Sequence, residues 1–422
     1  MPKVIRGMKD ILPDEVSRWQ KIESASRDVF RLFGYRQIRT PALEETALFV
    51  KSIGGETDIV QKEMFSFRDR GERDVSLRPE GTAPIVRAYL EASLHKTSPF
   101  QKLYYLGAMF RAERPQAGRM RQFHQIGAEA IGSPDPAIDA EIIALEARIL
   151  DSCGIKDYIL RINNLGCKDD KKRLSRTLKD ALTDKKAMLC DDCKRRLAIN
   201  PLRVIDCKKD NCRDALRGTL KNIKFLCEGC IGHFDSVKAL LDILRIKYLL
   251  DPYIVRGLDY YTRTVFEVSH SRLARGQDAV GAGGRYDNLI SDMGGPELGA
   301  CGFALGIERM IMAMGEGASD FGGGEAYITA YIAAVGEAAH KRGFGILNDL
   351  RSAGIACDMD YEAKSLKAQM RSADKSKARF AIIIGDEELA SGEAVVRNMA
   401  TKEQRRVKLE DIVSSIGTPC HD

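Results

Sequence analysis

FRAERPQAGRMRQFHQIGAE, residues 110–129, sets Arg111, Arg114, Arg119 and Arg121 around a Pro-Gln-Ala-Gly turn, with Glu113 and Glu129 as its acids. The flanking runs KLYYLGAMFRAE and MRQFHQIGAEAIG are strand-like, so residues 102–132 read as an antiparallel hairpin. Guanidinium forks grip phosphate or carboxylate in pairs and stack on aromatic faces. With Phe123 beside them, a nucleotide fits: guanidinium to phosphate, ring to base. A solvated basic hairpin with Phe123 in a core fits this segment equally, so the rest of the chain has to decide.

Upstream, Val16, Trp19, Ile22, Val29 and Phe33 recur at helical spacing from Pro13 to the stop at Gly34. YRQIRTPALEE then reads as a strand ending in a proline turn, and VSLRPEGTAPIVRAYL as strand, turn and helix. Downstream comes a helix over about residues 137–151. Residues 168–245 are rich in Lys, Arg and Cys and helical in pattern. Strand character resumes at YIVRGLDYYTRTVFEVSH. AVGAGGRYDNLI reads as a glycine turn, and GACGFALGIERMIMAM as a strand entering an apolar helix. The expected organisation is an α+β domain with a mostly antiparallel sheet over 1–322, interrupted by a helical, Cys-rich insertion at 168–245. A glycine linker at 323–326 then leads to a small α/β domain over 327–422, where strand and helix patterns alternate.

The 422 residues allow two domains, and a net charge of +6 permits an anionic partner without demanding one. No run approaches the roughly 18 apolar residues of a membrane span. The first twenty residues lack a secretory apolar core, and eleven cysteines, an odd number, suit a reducing compartment. The expectation is a cytoplasmic protein with no membrane partner.

Companion segments break the tie over the hairpin. RPEGTAP carries Glu80 and Thr82, able to hold an ammonium group; GIERM carries Arg309 at a helix start; RGLDYY carries Arg256 and Tyr261. In this order the chain resembles the histidyl-tRNA synthetases, members of the class II aminoacyl-tRNA synthetases. FGYRQIRTPALEE is similar to motif 1, FRAERPQAGRMRQFHQ to motif 2 and GFALGIERM to motif 3. VRGLDYYTRTVFE and GAGGRYD resemble the two histidine-specific signatures. The resemblance runs essentially the full length.

It implies a class II catalytic domain with a C-terminal anticodon-binding domain, and a two-step reaction. Histidine is activated with ATP and Mg2+ to histidyl-adenylate, then transferred to the 3′ end of tRNA(His). Arg111 would hold the α-phosphate, Arg119 the bent triphosphate, Arg309 the γ-phosphate, and Phe123 would stack on adenine. Arg256 would lie near the substrate carboxylate and α-phosphate, making it with Arg111 a catalytic residue. Glu129 and Tyr261 would meet the two imidazole nitrogens, and Glu80, Thr82 and Gln125 the α-amino group. Tyr286 would line the pocket, whereas Tyr260 reads as packing. Arg114 and Gln116 would approach the tRNA acceptor end, and motif 1 implies a homodimer.

Six of the eleven cysteines lie between Cys190 and Cys230. CDDC at 190–193 and CEGC at 227–230 are paired knuckles that fit a structural zinc, although 33 intervening residues exceed the commoner spacing of roughly 15–20. Cys190, Cys193, Cys227 and Cys230 are the first candidate set, with Cys207 and Cys212 as alternatives and His233 as a further option. Cys153, Cys167, Cys301, Cys357 and Cys420 read as structural or exposed. Three other readings stay on the table. One is a catalytically inert, synthetase-like regulatory subunit of histidine biosynthesis. The others are a synthetase of the same subclass for threonine, proline or glycine, and an RNA-binding module without ATP chemistry. Intact Arg111, Glu129, Arg256, Tyr261 and Arg309, and the presence of residues 327–422, argue against the first.

Overall fold

A computed structural model describes residues 2–207, 209–217, 219, 223–274, 278–315 and 328–417. The linker expected at 323–326 and Cys420 lie outside the described residues. Two units form, Met1–Gly317 and Ala318–Asp422. The first is built on strands β1 (Arg36–Gln37), β2 (Gln101–Phe110), β3 (Gln122–Ile131), β4 (Tyr158–Asn164), β5 (Leu249–Leu250), β6 (Thr262–His270), β7 (Ala279–Arg285) and β8 (Ala300–Gly306). They lie in the spatial order β1-β2-β3-β8-β7-β6-β4-β5, antiparallel except at the two short outer pairings.

The arginine hairpin is β2 and β3, paired from Gln101↔Ile131 to Phe110↔Gln122. Side chains alternate across a strand, so Ile126, Ala128 and Ala130 face one way and Phe123, Gln125, Gly127 and Glu129 the other. The first face packs on helices Pro13–Leu32 and Pro136–Ser152, through Trp19, Ile22, Phe30, Ile142 and Leu145. The opposite face carries the site. Pro13 suits the first helical turn, where its missing N–H removes no bond, and Asp14 and Glu15 complement the helix dipole there.

Three sequence readings change. YRQIRTPALEE is not one strand: Arg36–Gln37 joins the large sheet, while Leu43–Glu45 joins a separate three-stranded sheet. GAGGRYD is not a turn but most of β7, in the middle of the sheet. Its glycines permit close packing: a Cβ at Gly283 would overlap the Gly302 carbonyl, and one at Gly281 would overlap Glu146 and Leu305. In YIVRGLDYYTRTVFEVSH only Thr262–His270 is strand; residues 251–261 are irregular.

The insertion contributes helices Lys168–Thr183, Asp191–Ile199, Asp210–Leu216 and Glu228–Ile243. Its first three surround their own small core of Leu178, Leu182, Leu197, Val204 and Leu216. The fourth behaves differently. Val237 and Leu241 are fully buried in the catalytic core against the helix at 136–152, so this part of 168–245 belongs physically to that core. The second unit has a five-stranded sheet of β9 (Ala330–Ala334), β10 (Cys357–Met359), β11 (Phe380–Ile384), β12 (Glu393–Asn398) and β13 (Gln404–Lys408). Its order is β10-β9-β11-β12-β13, parallel over the first three strands and antiparallel beyond. No helix among the described residues is long and apolar enough to cross a membrane.

Candidate active site

An open cleft of about 980 Å³ lies on the site face of the large sheet. Arg111, Arg119, Phe123, Gln125, Arg256, Tyr261 and Arg309 all line it, with Glu80 and Thr82 at the inner end. Segments far apart in sequence therefore converge there: the hairpin, the turn before helix Thr82–Glu91, the irregular stretch before β6, and the helix Ile307–Met314.

The cations are fixed in direction by backbone carbonyls. Arg111 donates from Nε to Pro79 O at 3.0 Å, and its guanidinium stands 5.3 Å from the Phe123 ring centroid. Arg309 donates from Nε to Gly118 O at 3.0 Å and from Nη1 to Ala279 O at 2.6 Å. Arg119 pairs with Glu113 at 3.1 Å, and Arg111 reaches the same carboxylate at 3.8 Å. One carboxylate thus serves two guanidinium groups. Burial, and then the neighbouring charge of Arg119, push the Arg309 pKa down. A guanidinium held at a cost beside others of its sign is a receptor for an anion, and carbonyl-oriented forks need little reorganisation to take one.

Arg256 lies deeper. Its Nη1 donates 2.9 Å to Glu267 Oε2, while its buried Nε has no hydrogen-bond partner among the described residues. Burial opposes its charge, but Glu267 and other neighbours outweigh this and its pKa rises. Beside it Glu146 is fully buried with both oxygens unpartnered among the described residues, and burial pushes its pKa up to about 8.

The inner pocket is a chain of polar contacts. Glu80 caps helix Thr82–Glu91, accepting from Thr82 N at 2.6 Å and Ala83 N at 2.9 Å. Thr82 Oγ1 donates to Glu129 Oε1 at 2.7 Å, and Tyr286 Oη donates to Glu129 Oε2 at 2.5 Å. Glu129 is 1% exposed, and burial pushes its pKa up to about 8 against those two hydrogen bonds. Gln125 Oε1 is buried without a hydrogen-bond partner among the described residues, an acceptor left for a ligand donor. The glycines opposite are necessary: a Cβ at Gly302 would overlap Glu129, and one at Gly81 or Gly127 would overlap the Tyr105 ring.

Tyr260, read as packing, lines the cleft, with its ring 4.7 Å from that of Tyr261. Tyr286 stands behind Glu129 at 1% exposure and acts on the pocket through that carboxylate. Arg114 and Gln116 are exposed on the hairpin loop outside the cleft, where Gln116 and Arg119 exchange backbone hydrogen bonds at 3.0 and 2.9 Å. Tyr105, Glu113, Glu146 and Glu267 were missed. Glu113 and Glu267 lie within the motif 2 and first histidine-signature stretches, whereas Tyr105 and Glu146 carry no local mark.

The insertion's cysteines also regroup. Cys190 and Cys193 meet Cys207 and Cys212, whereas Cys227 and Cys230 lie with Cys167 and Asp170. The two knuckles do not share a centre, so the set Cys190, Cys193, Cys227 and Cys230 is corrected, and Cys167 is not an isolated structural thiol. Helix Glu228–Ile243 carries its knuckle onto the catalytic core, away from the other. His233 joins neither group: its Nε2 is 2.8 Å from Asp139 Oδ2 in a buried network with Arg285.

Comparison with known proteins agrees with this geometry. A family profile described as histidyl-tRNA synthetase matches residues 7–310, and one described as anticodon binding domain matches residues 329–418. The histidine–tRNA ligase of Halothermothrix orenii is 46% identical over 98% of this chain and 98% of its own. That of Geobacter sulfurreducens is 47% identical over 98% and 99%. The crystal structure of apo Staphylococcus aureus histidyl-tRNA synthetase superposes with a TM-score of 0.81 at 36% identity, covering 99% of this chain and all of that one. With residues of motif 2, motif 3 and both histidine-specific signatures in one cleft and relatives matched end to end, the chain belongs to the histidyl-tRNA synthetase family, a class II aminoacyl-tRNA synthetase fold with a C-terminal anticodon-binding domain.

Proposed function

We infer that the chain ligates histidine to tRNA(His) in two steps at this cleft. The observation that carries the reading is the convergence of Arg111, Arg119, Arg256 and Arg309 on one cavity whose lining residue Thr82 leads to the buried Glu129 and Tyr286. Histidine's carboxylate oxygen attacks the α-phosphorus of ATP, and the bond to the bridging oxygen breaks to release diphosphate. A terminal ribose hydroxyl of the tRNA then attacks the histidyl carbonyl, and AMP leaves. The first step gathers negative charge at the α-phosphate, so catalysis is mainly positioning and electrostatics.

Arg111 and Arg256 stand for the α-phosphate, Arg119 and Arg309 for the outer phosphates, and Phe123 for the adenine face. Mg2+ bound to the triphosphate would supply neutralisation of phosphate charge beside Arg111, Arg119 and Arg309. Glu129 and Tyr261 take the two imidazole nitrogens, while Gln125, Glu80 and Thr82 serve the ammonium group. A pocket of buried polar partners rejects side chains that leave them unpaired. Arg114 and Gln116 face the acceptor end, and residues 327–422 bind the anticodon region. Cytoplasmic location, a homodimer, and a structural zinc in the insertion, which would stabilise that segment without touching reacting atoms, complete the reading. An inert regulatory subunit would have no use for four cations aimed at one cavity.

The test is ATP–diphosphate exchange with each of the twenty amino acids supplied singly. Exchange with histidine alone is expected. Exchange with another amino acid would break the pocket assignment, and none at all from folded protein with Mg2+ would move the regulatory reading first.

A further inference from the structure

Three N-cap cysteines open three helices of the insertion: Cys167 before Lys168–Thr183, Cys190 before Asp191–Ile199 and Cys227 before Glu228–Ile243. Three residues on, in each first turn, stands another ligand type: Asp170, Cys193 and Cys230. Cys-x-x-Asp at 167–170 is therefore the geometric counterpart of the two Cys-x-x-Cys knuckles, which is why a count of cysteine pairs overlooks it. The helix opened by Cys190 closes on Cys207 and Cys212, and the helices opened by Cys167 and Cys227 close on each other.

We propose that the insertion holds two tetrahedral zinc ions, one on Cys190, Cys193, Cys207 and Cys212, the other on Cys167, Asp170, Cys227 and Cys230. In each group one ligand atom from every residue lies within 4.8 Å of the others. Four sulfurs at about 2.3 Å from one zinc stand about 3.8 Å apart, and a carboxylate oxygen at about 2.0 Å stands about 3.5 Å from such a sulfur, so the groups need contractions of at most about 1.0 and 1.3 Å. Cys193, Cys207, Cys212, Cys230 and Asp170 are buried; the first group belongs to short segments that pack a small core of their own, whereas Cys227 and Cys230 open the helix that packs on the catalytic core. Little else would hold the first group's segments together, which is the usual setting for a structural metal.

The second centre needs an oxygen ligand, and Asp170 is placed for it. Its Oδ1 accepts from Cys227 N at 3.1 Å, its Oδ2 from Cys167 N at 3.3 Å, and Arg173 also pairs with it. A carboxylate offers roughly four acceptor sites, so one remains for the metal. The framework is rigid: Asn164, buried at the end of β4, donates to Cys230 O at 2.8 Å and its Oδ1 accepts from Gly166 N at 2.8 Å. This centre would join the entry of the insertion to its exit. It lies next to Lys171, whose ammonium donates to the carbonyls of Asp259 and Tyr261 at 2.8 and 2.9 Å.

The inference rests on the insertion binding zinc at all, and stoichiometry separates the two. Full-length protein, purified under reducing conditions without chelator, is expected to carry two equivalents of zinc by elemental mass spectrometry. Cys212→Ser and Cys230→Ser should each lower this to about one. Asp170→Cys, which keeps four ligands, should retain two, and its cobalt-substituted form should show stronger thiolate-to-cobalt absorption than the wild type. One equivalent in the wild type, insensitive to Cys230→Ser, would overturn the second centre and leave the first. No zinc would overturn both. Because the wild-type count needs no variant at all, a variant that fails to fold leaves the proposal decidable.

Discussion

Arg256→Ala removes the guanidinium that is paired to Glu267 at 2.9 Å and offers an unused Nε toward the cleft. Deleting one preorganised donor from a developing anion costs ~3–4 kcal/mol. At about 1.4 kcal/mol per tenfold, histidine-dependent exchange should fall by about 10²–10³-fold in kcat. The KM for histidine should move less, because that charge matters most when the α-phosphate becomes crowded. Stability should change little, for two reasons visible around the site. The Glu267 side chain is 30% exposed and stays hydrated when its partner leaves. Glu146, already pushed up to about 8 by burial and held down only by Arg256, takes up a proton instead of standing charged. A melting shift within about 2 °C is therefore expected, corresponding to about 1–2 kcal/mol in a chain of this size. Arg256→Lys keeps the charge but loses the fork, and should recover part of the rate. Exchange by Arg256→Ala within about threefold of wild type, in folded protein, would remove Arg256 from the chemistry.

Three further outcomes follow from the same geometry. With Glu129 pushed up to about 8 in the free site, an imidazole N–H donating to it favours the carboxylate, lowers its pKa and expels a proton. Histidine should accordingly bind up to about fivefold more tightly at pH 8 than at pH 7, with proton release in calorimetry across buffers; proton uptake would contradict the assignment. Phe123→Ala forfeits ~1–2 kcal/mol of base stacking, so the KM for ATP should rise about five- to thirtyfold with kcat largely kept, and an unchanged KM would count against the adenine site. Gly283→Ala forces a methyl into the Gly302 carbonyl and the Phe266 ring, and should destabilise by about 2 kcal/mol or more in denaturant titration.

What was legible in the sequence follows the range of the forces involved. The hairpin was readable because alternation and a turn signal are local, and β2 and β3 pair across residues 101–131 much as the pattern predicts. The arginines were readable because charge clustered on one loop is itself a signal. β7 was misread because glycine is ordinarily a breaker, and the reason for Gly281 and Gly283 lies in β8 and in Glu146, remote in the chain. Which of Tyr260 and Tyr286 lines the cleft and which backs Glu129 has no local mark, because segments remote in the chain set the surroundings of each. The cysteines were miscounted for the same kind of reason. A carboxylate at the third helical position, Asp170, leaves no mark that separates it from a capping acid until Cys227 and Cys230 are seen beside it.

The same division explains why Arg256 and Tyr261 ride on a stretch without regular structure. Between residues 251 and 261 the backbone has no ladder to define it, so side chains from elsewhere must do so. Asp259 N donates to Ile53 O at 3.1 Å on one side, and Asp259 Oδ1 accepts from Arg203 at 3.0 Å on the other. Arg203 also reaches Gly257 O at 2.7 Å, and Lys171 holds the carbonyls of Asp259 and Tyr261. Lys171 and Arg203 both belong to the insertion. The segment that carries Arg256 and Tyr261, the proposed catalytic arginine and imidazole partner, is thus held by residues of the insertion. Its stiffness sets how closely Arg256 can be preorganised, since a misplacement of about 1 Å is enough to cost two orders of magnitude in rate. A metal centre at Cys167 and Asp170, one residue before Lys171, would lie where stiffness is most needed.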